Sequence, residues 1–176
     1  MPIDVHIWEF KGFFESWGHA SMTLSDGTHI SWWPRGGAEG KSVKGNAVKA
    51  PPVRCMTLAD DIQCENNDQP NTLTIRDFII EEDPIKTWWQ SFRKYENWRA
   101  FDQNCSTVVY KALCAGFALR YFETADKTNK YEATAIWTPN KVKEFVEHLI
   151  KRISIPSAET TGSNQGSGKK TSCSYI

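Results

Sequence analysis

A β-hairpin is indicated by residues 18–33, which read GHASMTLSDGTHISWW. Apolar side chains recur at every second position on both sides of Asp26 and Gly27, and an Asp-Gly pair between two such runs is a strong hairpin signal. His19 begins the first of the two strands, and the alternation places it on the face opposite to the apolar Ala20. The sequence therefore predicts two antiparallel strands with a histidine at the start of the first.

Further strands and two irregular segments are predicted around this hairpin. Alternation over residues 3–8 predicts a strand before it, and residues 73–80 indicate another strand after it. Glycines and lysines over residues 34–45 are typical of a loop. Two prolines at 51–52 and the polar residues 65–71 indicate that this region of the chain is irregular as well.

Three helices are predicted by capping residues and by apolar spacing. Asp83 followed by Pro84 is typical of an N-cap and a first helical position. Polar residues 102–104 precede a second helix, which carries Cys105 at its beginning. The third helix is signalled by Thr-Pro-Asn at 138–140 and by the long amphipathic pattern that follows it.

The composition indicates one folded domain at residues 1–153, followed by a flexible tail at 154–176 that is rich in Ser, Thr and Gly. Basic and acidic residues both number 21, and this zero net charge argues against a nucleic-acid-binding protein. No run of about 18 apolar residues predicts a membrane-spanning helix. Residues 1–10 lack the basic start and apolar core of a secretory signal, so we expect synthesis in the cytosol.

The five cysteines stand at positions 55, 64, 105, 114 and 173 and include no CxxC pair. An odd number of cysteines in a cytosolic protein argues against a disulfide framework, and the missing CxxC spacing argues against structural zinc. The four histidines also lack the short spacing of a metal site. The sequence therefore predicts neither a metal nor another cofactor, and each cysteine is interpreted singly.

Cys105 is the strongest candidate for a catalytic nucleophile. It follows Asn104 at the start of a predicted helix, where unpaired backbone N–H groups and the positive end of the helix dipole meet. Both features favour the thiolate over the thiol and lower its pKa. The same N–H groups can stabilise an oxyanion once the thiolate attacks a carbonyl.

His19 is the best candidate for the base that a nucleophilic cysteine requires. It begins a strand directly after Gly18, and a glycine allows close approach of a packed helix. A cysteine and a histidine that are distant in sequence and close in space are the usual arrangement of thiol enzymes. We therefore expect the His19 ring to meet Cys105 at the beginning of its helix.

These motifs resemble those of the circularly permuted papain-like cysteine enzymes, which include the lecithin:retinol acyltransferase-like proteins and permuted relatives of the NlpC peptidases. In that group a histidine on an early strand precedes a cysteine at an Asn-Cys helix start. Residues 19–27 resemble the histidine strand with its hairpin, and residues 104–109 resemble the nucleophile helix. The resemblance extends from residue 1 to about 153. It implies an α+β, papain-like catalytic domain in which an antiparallel sheet packs against the helix that carries Cys105.

The residue that orients His19 is left open by the resemblance. The acyltransferase-like members carry a second histidine on the strand after the hairpin, and Ser31 occupies that position here. His29 shares the strand face of Ser31 by alternation, so either side chain, or a group from elsewhere, is a candidate. Gln103 is a candidate to polarise the substrate carbonyl, with a solvent-facing cap as the alternative.

The C-terminal residues carry a second signal. Cys173 is the fourth residue from the end and follows Lys169 and Lys170, a pattern that matches C-terminal prenylation. The terminal Ile176 favours a geranylgeranyl group, and the alternative is a free cysteine in a disordered end. One lipid with two lysines would give reversible association with the cytosolic face of a membrane.

Two functional hypotheses follow from the sequence. The first is a cysteine-dependent hydrolase or acyltransferase that acts through an acyl-enzyme on an amide, thioester or ester of a peptide, protein or lipid acyl substrate. Water as the acceptor gives a protease or amidase, whereas an amine or alcohol gives an acyltransferase. The second hypothesis is a catalytically silent binding module that uses the same scaffold and is tethered to a membrane.

Overall fold

Six strands come first along the part of the chain that the structure describes, and helices and strands then alternate as far as the third α-helix. The computed structural model describes residues 2–11, 17–35, 49–53, 55–76, 80–122 and 130–154. The strands are β1 (Ile3–Trp8), β2 (His19–Thr23), β3 (His29–Ile30), β4 (Trp33–Pro34), β5 (Lys49–Ala50), β6 (Pro52–Val53), β7 (Asn71–Ile75) and β8 (Trp98–Arg99). The helices are α1 (Leu58–Cys64), α2 (Glu82–Tyr95), α3 (Cys105–Ala115), a 3₁₀ helix (Ala118–Phe122) and α4 (Pro139–Ile153).

The main sheet has four antiparallel strands in the order β3-β2-β1-β7. The predicted hairpin is confirmed, because Thr23 on β2 pairs with His29 on β3. The turn between them is closed by two backbone hydrogen bonds, from Leu24 N to Thr28 O at 2.9 Å and from Gly27 N to Leu24 O at 3.0 Å. Two small two-stranded sheets, β4 with β6 and β5 with β8, complete an α+β architecture.

The helix predictions are confirmed for α3 and α4 and need a correction for α2. Asn104 and Thr138 are the N-caps of α3 and α4, and each side chain accepts a hydrogen bond from the backbone of its first turn. Helix α2 begins at Glu82, one residue before the predicted cap Asp83, and its N-cap residue Glu81 makes no side-chain capping bond. The acidic residues of this turn favour the helix through its dipole rather than through a cap.

Two further sequence-based predictions need a correction. Strand β7 covers Asn71–Ile75 rather than residues 73–80, and residues 77–79 lie outside the described part of the chain. Helix α1 occupies a region for which the sequence predicted no regular structure. It begins with a capping box in which Thr57 Oγ1 accepts from Asp60 N at 3.2 Å and Asp60 Oδ2 accepts from Thr57 N at 2.7 Å.

The core lies between the sheet and helices α2, α3 and α4. Trp32 is fully buried, and its ring lies 5.0 Å from that of Phe92 and 5.8 Å from that of Trp89, both on α2. Helix α4 buries Phe145 and the apolar residues around it against β1 and β7. Helix α3 packs against β2 and α2, so its first residue lies beside the start of the hairpin. The packing therefore brings Cys105 to the strand that His19 begins.

Gly18 allows the close approach of the chain immediately before His19. Its φ is +66°, and a Cβ atom there would lie 2.3 Å from Trp8 O, whereas Gly27 has φ +86° and open space around it. We expect Gly27→Ala to cost about 1 kcal/mol through backbone strain alone, and Gly18→Ala to cost at least about 2 kcal/mol more because the backbone must move. Urea unfolding of both variants measures the difference, and equal losses would contradict the tight contact at Gly18.

Candidate active site

Cys105 and His19 lie together where α3 meets β2. Cys105 is the first residue of α3, and His19 is the first residue of β2 and is buried. The thiol interacts directly with the imidazole of His19 and also receives the backbone N–H of Ala20. The predicted proximity of the two side chains is therefore present in the structure.

The two groups stabilise each other's charged forms. Burial alone would raise the pKa of the Cys105 thiol, but the charge and hydrogen bond of His19 outweigh burial and lower it below its usual range. Burial alone would lower the pKa of His19, but the Cys105 thiolate and Asp61 raise it to about 10. A thiolate–imidazolium pair is thus the favoured state over a wide pH range, and this state is the reactive form of a nucleophilic cysteine.

The ring of His19 is held on two sides. It stacks on the indole of Trp33, with the ring centroids 4.2 Å apart. Its Nε2 atom lies 3.1 Å from Ser31 Oγ and 3.4 Å from Asp61 Oδ2. Because Nε2 is engaged with these two groups, Nδ1 is the nitrogen that remains for the thiol of Cys105.

Asp61 is a fully buried carboxylate that collects donors from several elements. Its Oδ1 accepts from Ser31 Oγ at 2.7 Å and from Trp33 Nε1 at 2.8 Å, and its Oδ2 accepts from His29 Nε2 at 2.9 Å. Burial alone would raise the pKa of this carboxyl, but hydrogen bonds from His19, His29 and Ser31 hold it far below its usual range. Asp61 therefore remains ionised and balances the imidazolium of His19.

The N-terminus of α3 presents backbone donors next to the sulfur. Asn104 accepts hydrogen bonds from Thr107 N at 2.9 Å and from Val108 N at 3.0 Å, through its side chain and its carbonyl respectively. The N–H groups of Cys105 and Ser106 precede the first intrahelical bond, from Val108 N, and so have no acceptor within the helix. The Nδ2 atom of Asn104 fixes the cap by donating to two backbone carbonyls of neighbouring loops.

The two candidates for orienting His19 have different contacts. Ser31 lies between His19 and Asp61, since its Oγ donates to Asp61 and therefore accepts from His19 Nε2. His29 contacts Asp61 rather than His19. The carboxylate beside the ring comes from α1, a part of the chain that the sequence left open. Two of the candidate sources, Ser31 and a residue from elsewhere in the chain, thus contact the His19 ring.

The structure corrects the interpretation of Gln103. Its Nε2 atom donates to Glu96 Oε2 at 2.9 Å and to the Asn97 carbonyl at 2.6 Å, and its Oε1 accepts from Arg99 at 2.9 Å. The side chain is buried rather than solvent-facing. Because its amide is fully engaged with the loop before α3, Gln103 is not free to polarise a substrate carbonyl.

Asp61 is the residue of this site that the sequence did not reveal. It lies in a helix of seven residues, which is too short to show an apolar period. The signal that could have located this helix is the Thr57-x-x-Asp60 capping box. Nothing in the sequence around Asp61 indicates contact with His19, because that contact depends on the packing of α1 against the hairpin.

The remaining cysteines do not share the environment of Cys105. Cys55 is exposed, and burial raises the pKa of Cys114 to about 11, which disfavours its thiolate. Cys173, the predicted lipid attachment site, lies outside the described residues. Within the described ranges, no group of three or more His, Cys, Asp or Glu side chains could hold a metal ion. No helix of those ranges is long and apolar enough to span a membrane.

Comparison with known proteins identifies the family. The family model described as the IcsB middle domain matches residues 54–164, which is more than half of the chain. The chain belongs to the IcsB middle domain family. The segment that matches this family contains Asp61 and Cys105, whereas His19 and Ser31 precede it. Comparisons with curated proteins and with solved structures return no match.

Proposed function

We propose that the protein is a cysteine-dependent hydrolase or acyltransferase that forms an acyl-enzyme on an amide, thioester or ester. The observation that carries this proposal is the contact between the Cys105 thiol and the His19 imidazole, with Asp61 buried behind the ring. Cys105 is the nucleophile, His19 is the general base and acid, and Asp61 orients His19 together with Ser31.

Cys105, His19 and the first backbone N–H groups of α3 can carry out every step of an acyl transfer. The Cys105 thiolate attacks the carbonyl carbon, and the N–H groups of Cys105 and Ser106 stabilise the oxyanion. The imidazolium of His19 gives its proton to the leaving amine, alcohol or thiol as the bond to it breaks. His19 then takes a proton from water or from another acceptor, which attacks the thioester and releases the thiolate.

The arrangement of the elements supports a papain-like scaffold in permuted order. An antiparallel sheet contributes the histidine, and a helix packed against it begins with the cysteine. The histidine precedes the cysteine along the chain, as in the permuted enzymes that the sequence resembles.

Exposed apolar side chains flank both catalytic residues and support a substrate with an apolar portion. Trp17 is 58% exposed and precedes His19 by two residues, and Phe101 is 55% exposed and precedes Cys105 by four. Large exposed apolar side chains are candidates for a surface that contacts a substrate, and these two stand close in sequence to the two proposed catalytic residues. A peptide, a protein or a lipid acyl group would fit this environment.

The experiment that tests the proposal has two arms on separate samples, which are labelling with iodoacetamide and incubation of unlabelled protein with a simple acyl thioester. We expect Cys105 to be labelled much faster than the exposed Cys55, and we expect the thioester to add one acyl group to the wild type but none to Cys105→Ser. Intact-mass and peptide mass spectrometry measure both results. Cys55→Ser is the matched control and should keep full acylation.

A result in which Cys105→Ser acquires the acyl group as readily as the wild type would contradict the proposal. Equal labelling rates at Cys105 and Cys55 would do the same, and would favour the silent binding module. The rate at which the acyl-enzyme decays is then compared in buffer alone and in buffer that contains an amine or alcohol. Decay in buffer alone indicates a hydrolase, and faster decay with transfer of the acyl group to the added acceptor indicates an acyltransferase.

A further inference from the structure

Behind Asp61, histidine and threonine side chains alternate in a line that crosses all four strands of the main sheet. His29 on β3 contacts Thr23 on β2, with its Nδ1 3.0 Å from Thr23 Oγ1. Thr23 Oγ1 lies 2.9 Å from Nε2 of His6 on β1, and His6 Nδ1 lies 3.0 Å from Oγ1 of Thr72 on β7. Each strand thus contributes one member of a continuous hydrogen-bonded chain that ends at Asp61.

The chemistry of these groups limits the polarity of the chain. An ionised carboxylate accepts only, so His29 Nε2 must donate to Asp61. If His29 is neutral, its Nδ1 accepts the hydroxyl proton of Thr23, whose oxygen then accepts from His6 Nε2. His6 Nδ1 in turn accepts from Thr72. If His29 is protonated, its Nδ1 donates to Thr23, whose hydroxyl can then donate to His6 Nε2 with the His6 proton on Nδ1.

His29 donates to Asp61 in either polarity. Two negative groups, Asp61 and the Cys105 thiolate, face the single imidazolium of His19, which leaves one net negative charge in the buried cluster. The hydrogen bond from His29 helps to stabilise that charge.

His6 is neutral at pH 7, as both polarities of the chain require. The titratable groups around His6 are Asp4, Asp61, His19 and His29. Burial, followed by the charge of His29, lowers the pKa of His6 to about 4, so its ring is uncharged at neutral pH. A neutral ring has one donor and one acceptor nitrogen, which is what a chain of a single polarity requires.

We propose that Thr23 and His6 are positioning residues, which hold His29 as a donor to Asp61 and thereby fix the carboxylate that orients His19. This inference rests on the proposed function for its catalytic meaning, since it extends the set of groups that position the base. The side chains of Thr23 and His6 contact neither Cys105 nor His19 in the described hydrogen bonds. They act through His29, whose hydrogen bond keeps the Asp61 carboxylate ionised and fixed in position.

The first test is the tautomeric state of the histidines in the wild type. Nitrogen-15 NMR of histidine-labelled protein at pH 7.5 distinguishes a proton on Nε2 from one on Nδ1, and single His→Gln variants assign the signals. We expect Nε2 of His29 to carry a proton, because this nitrogen donates to Asp61, and we expect His6 to be neutral. A His29 ring protonated on Nδ1 alone, or a charged His6, would overturn the proposal. This measurement needs no activity, so it is independent of whether Cys105 is catalytic.

The second test uses an isosteric substitution within the chain. Thr23→Val removes the hydroxyl and keeps the shape, whereas Thr23→Ser keeps the hydroxyl. We expect Thr23→Val to move the acid limb of the Cys105 alkylation profile upward by about 0.5 pH units, because the less ordered Asp61 supports the imidazolium of His19 less well. Thr23→Ser should restore the wild-type profile.

Thr74→Val is the matched control, because Thr74 lies on β7 and donates to Asp4 at 2.7 Å, outside the chain. Like Thr23→Val, it removes one partly buried hydrogen bond of the sheet, but it should leave the alkylation profile of Cys105 unchanged. A Thr23→Val profile that coincides with the wild type would overturn the positioning role. If Thr23→Val does not fold, the tautomers of the wild type still decide the polarity of the chain.

Discussion

Replacing Asp61 with alanine is expected to destabilise the fold and to remove the enhanced reactivity of Cys105. The carboxylate accepts hydrogen bonds from Ser31, Trp33 and His29, and it balances the charge of His19. Its removal leaves these buried donors without their acceptor, and breaking a buried ion pair from one side costs about 3–5 kcal/mol. Urea unfolding measures the loss of stability, and iodoacetamide alkylation measures the loss of reactivity.

Asp61→Asn separates charge from shape in the same experiment. The amide can present one oxygen to Ser31 and Trp33, but its NH₂ group then faces the donor nitrogens of His29 and His19. In other triads this substitution disturbs the histidine tautomer and lowers the rate by about 10⁴-fold. We expect a loss of about 10²-fold or more in acyl-enzyme formation.

Asp60→Asn is the matched control for both Asp61 variants. Asp60 is the neighbouring carboxylate on α1 and belongs to the capping box with Thr57. Its substitution should cost about 1 kcal/mol of stability and leave the alkylation of Cys105 unchanged. Wild-type reactivity in Asp61→Asn would contradict the orienting role of Asp61.

Replacing His19 with glutamine is expected to slow alkylation of Cys105 at pH 6 by at least about 100-fold. An ordinary thiol has a pKa of about 8.5, so less than about 1% of it is thiolate at pH 6. In the wild type the imidazolium of His19 holds the pKa of Cys105 below its usual range. Without that charge, the burial of Cys105 favours the neutral thiol.

The shape of the pH profile follows from the two shifts. The thiol pKa is lowered, so the thiolate is already present on the acid side of the usual thiol pKa. The pKa of His19 is raised to about 10, so the imidazolium persists up to that pH. The wild-type profile should therefore be flat from a pH below the usual thiol pKa to about pH 9, whereas the rate of His19→Gln should rise about tenfold per pH unit over that range.

Two controls accompany the His19 variant. Cys55 is exposed and serves as an internal reference whose alkylation should be the same in both proteins. His148→Gln substitutes a histidine of α4 that hydrogen-bonds Tyr131 and should retain the flat profile. Identical slopes for Cys105 in the wild type and in His19→Gln would exclude an ion pair between the two residues.

The parts of the fold that the sequence predicted have strong local determinants. The Asp-Gly turn defines the hairpin of β2 and β3, and the caps Asn104 and Thr138 define the starts of α3 and α4. The pairing of His19 with Cys105 was expected from the resemblance to permuted papain-like enzymes, and the structure brings these residues together.

The parts that the sequence did not predict depend on contacts between distant segments. Helix α1 is too short to show an amphipathic period, so its buried Asp61 had no visible role. Gln103 is next to Asn104, the N-cap of α3, in the sequence, but its side-chain amide donates to Glu96 and to the backbone of the adjacent loop. The alternation of the strands placed His29 and Ser31 on one face correctly, but not the carboxylate that both residues contact.

Measuring the charge state of Cys105 is the most direct test of the ion pair between Cys105 and His19. A thiolate absorbs ultraviolet light more strongly than a thiol, so the absorbance difference between the wild type and Cys105→Ser reports the thiolate at this residue alone. We predict that the difference of one thiolate appears below about pH 8.5 in the wild type and moves to higher pH in His19→Gln. A difference that appears only near pH 8.5 in the wild type, the value of an isolated thiol, would contradict the ion pair.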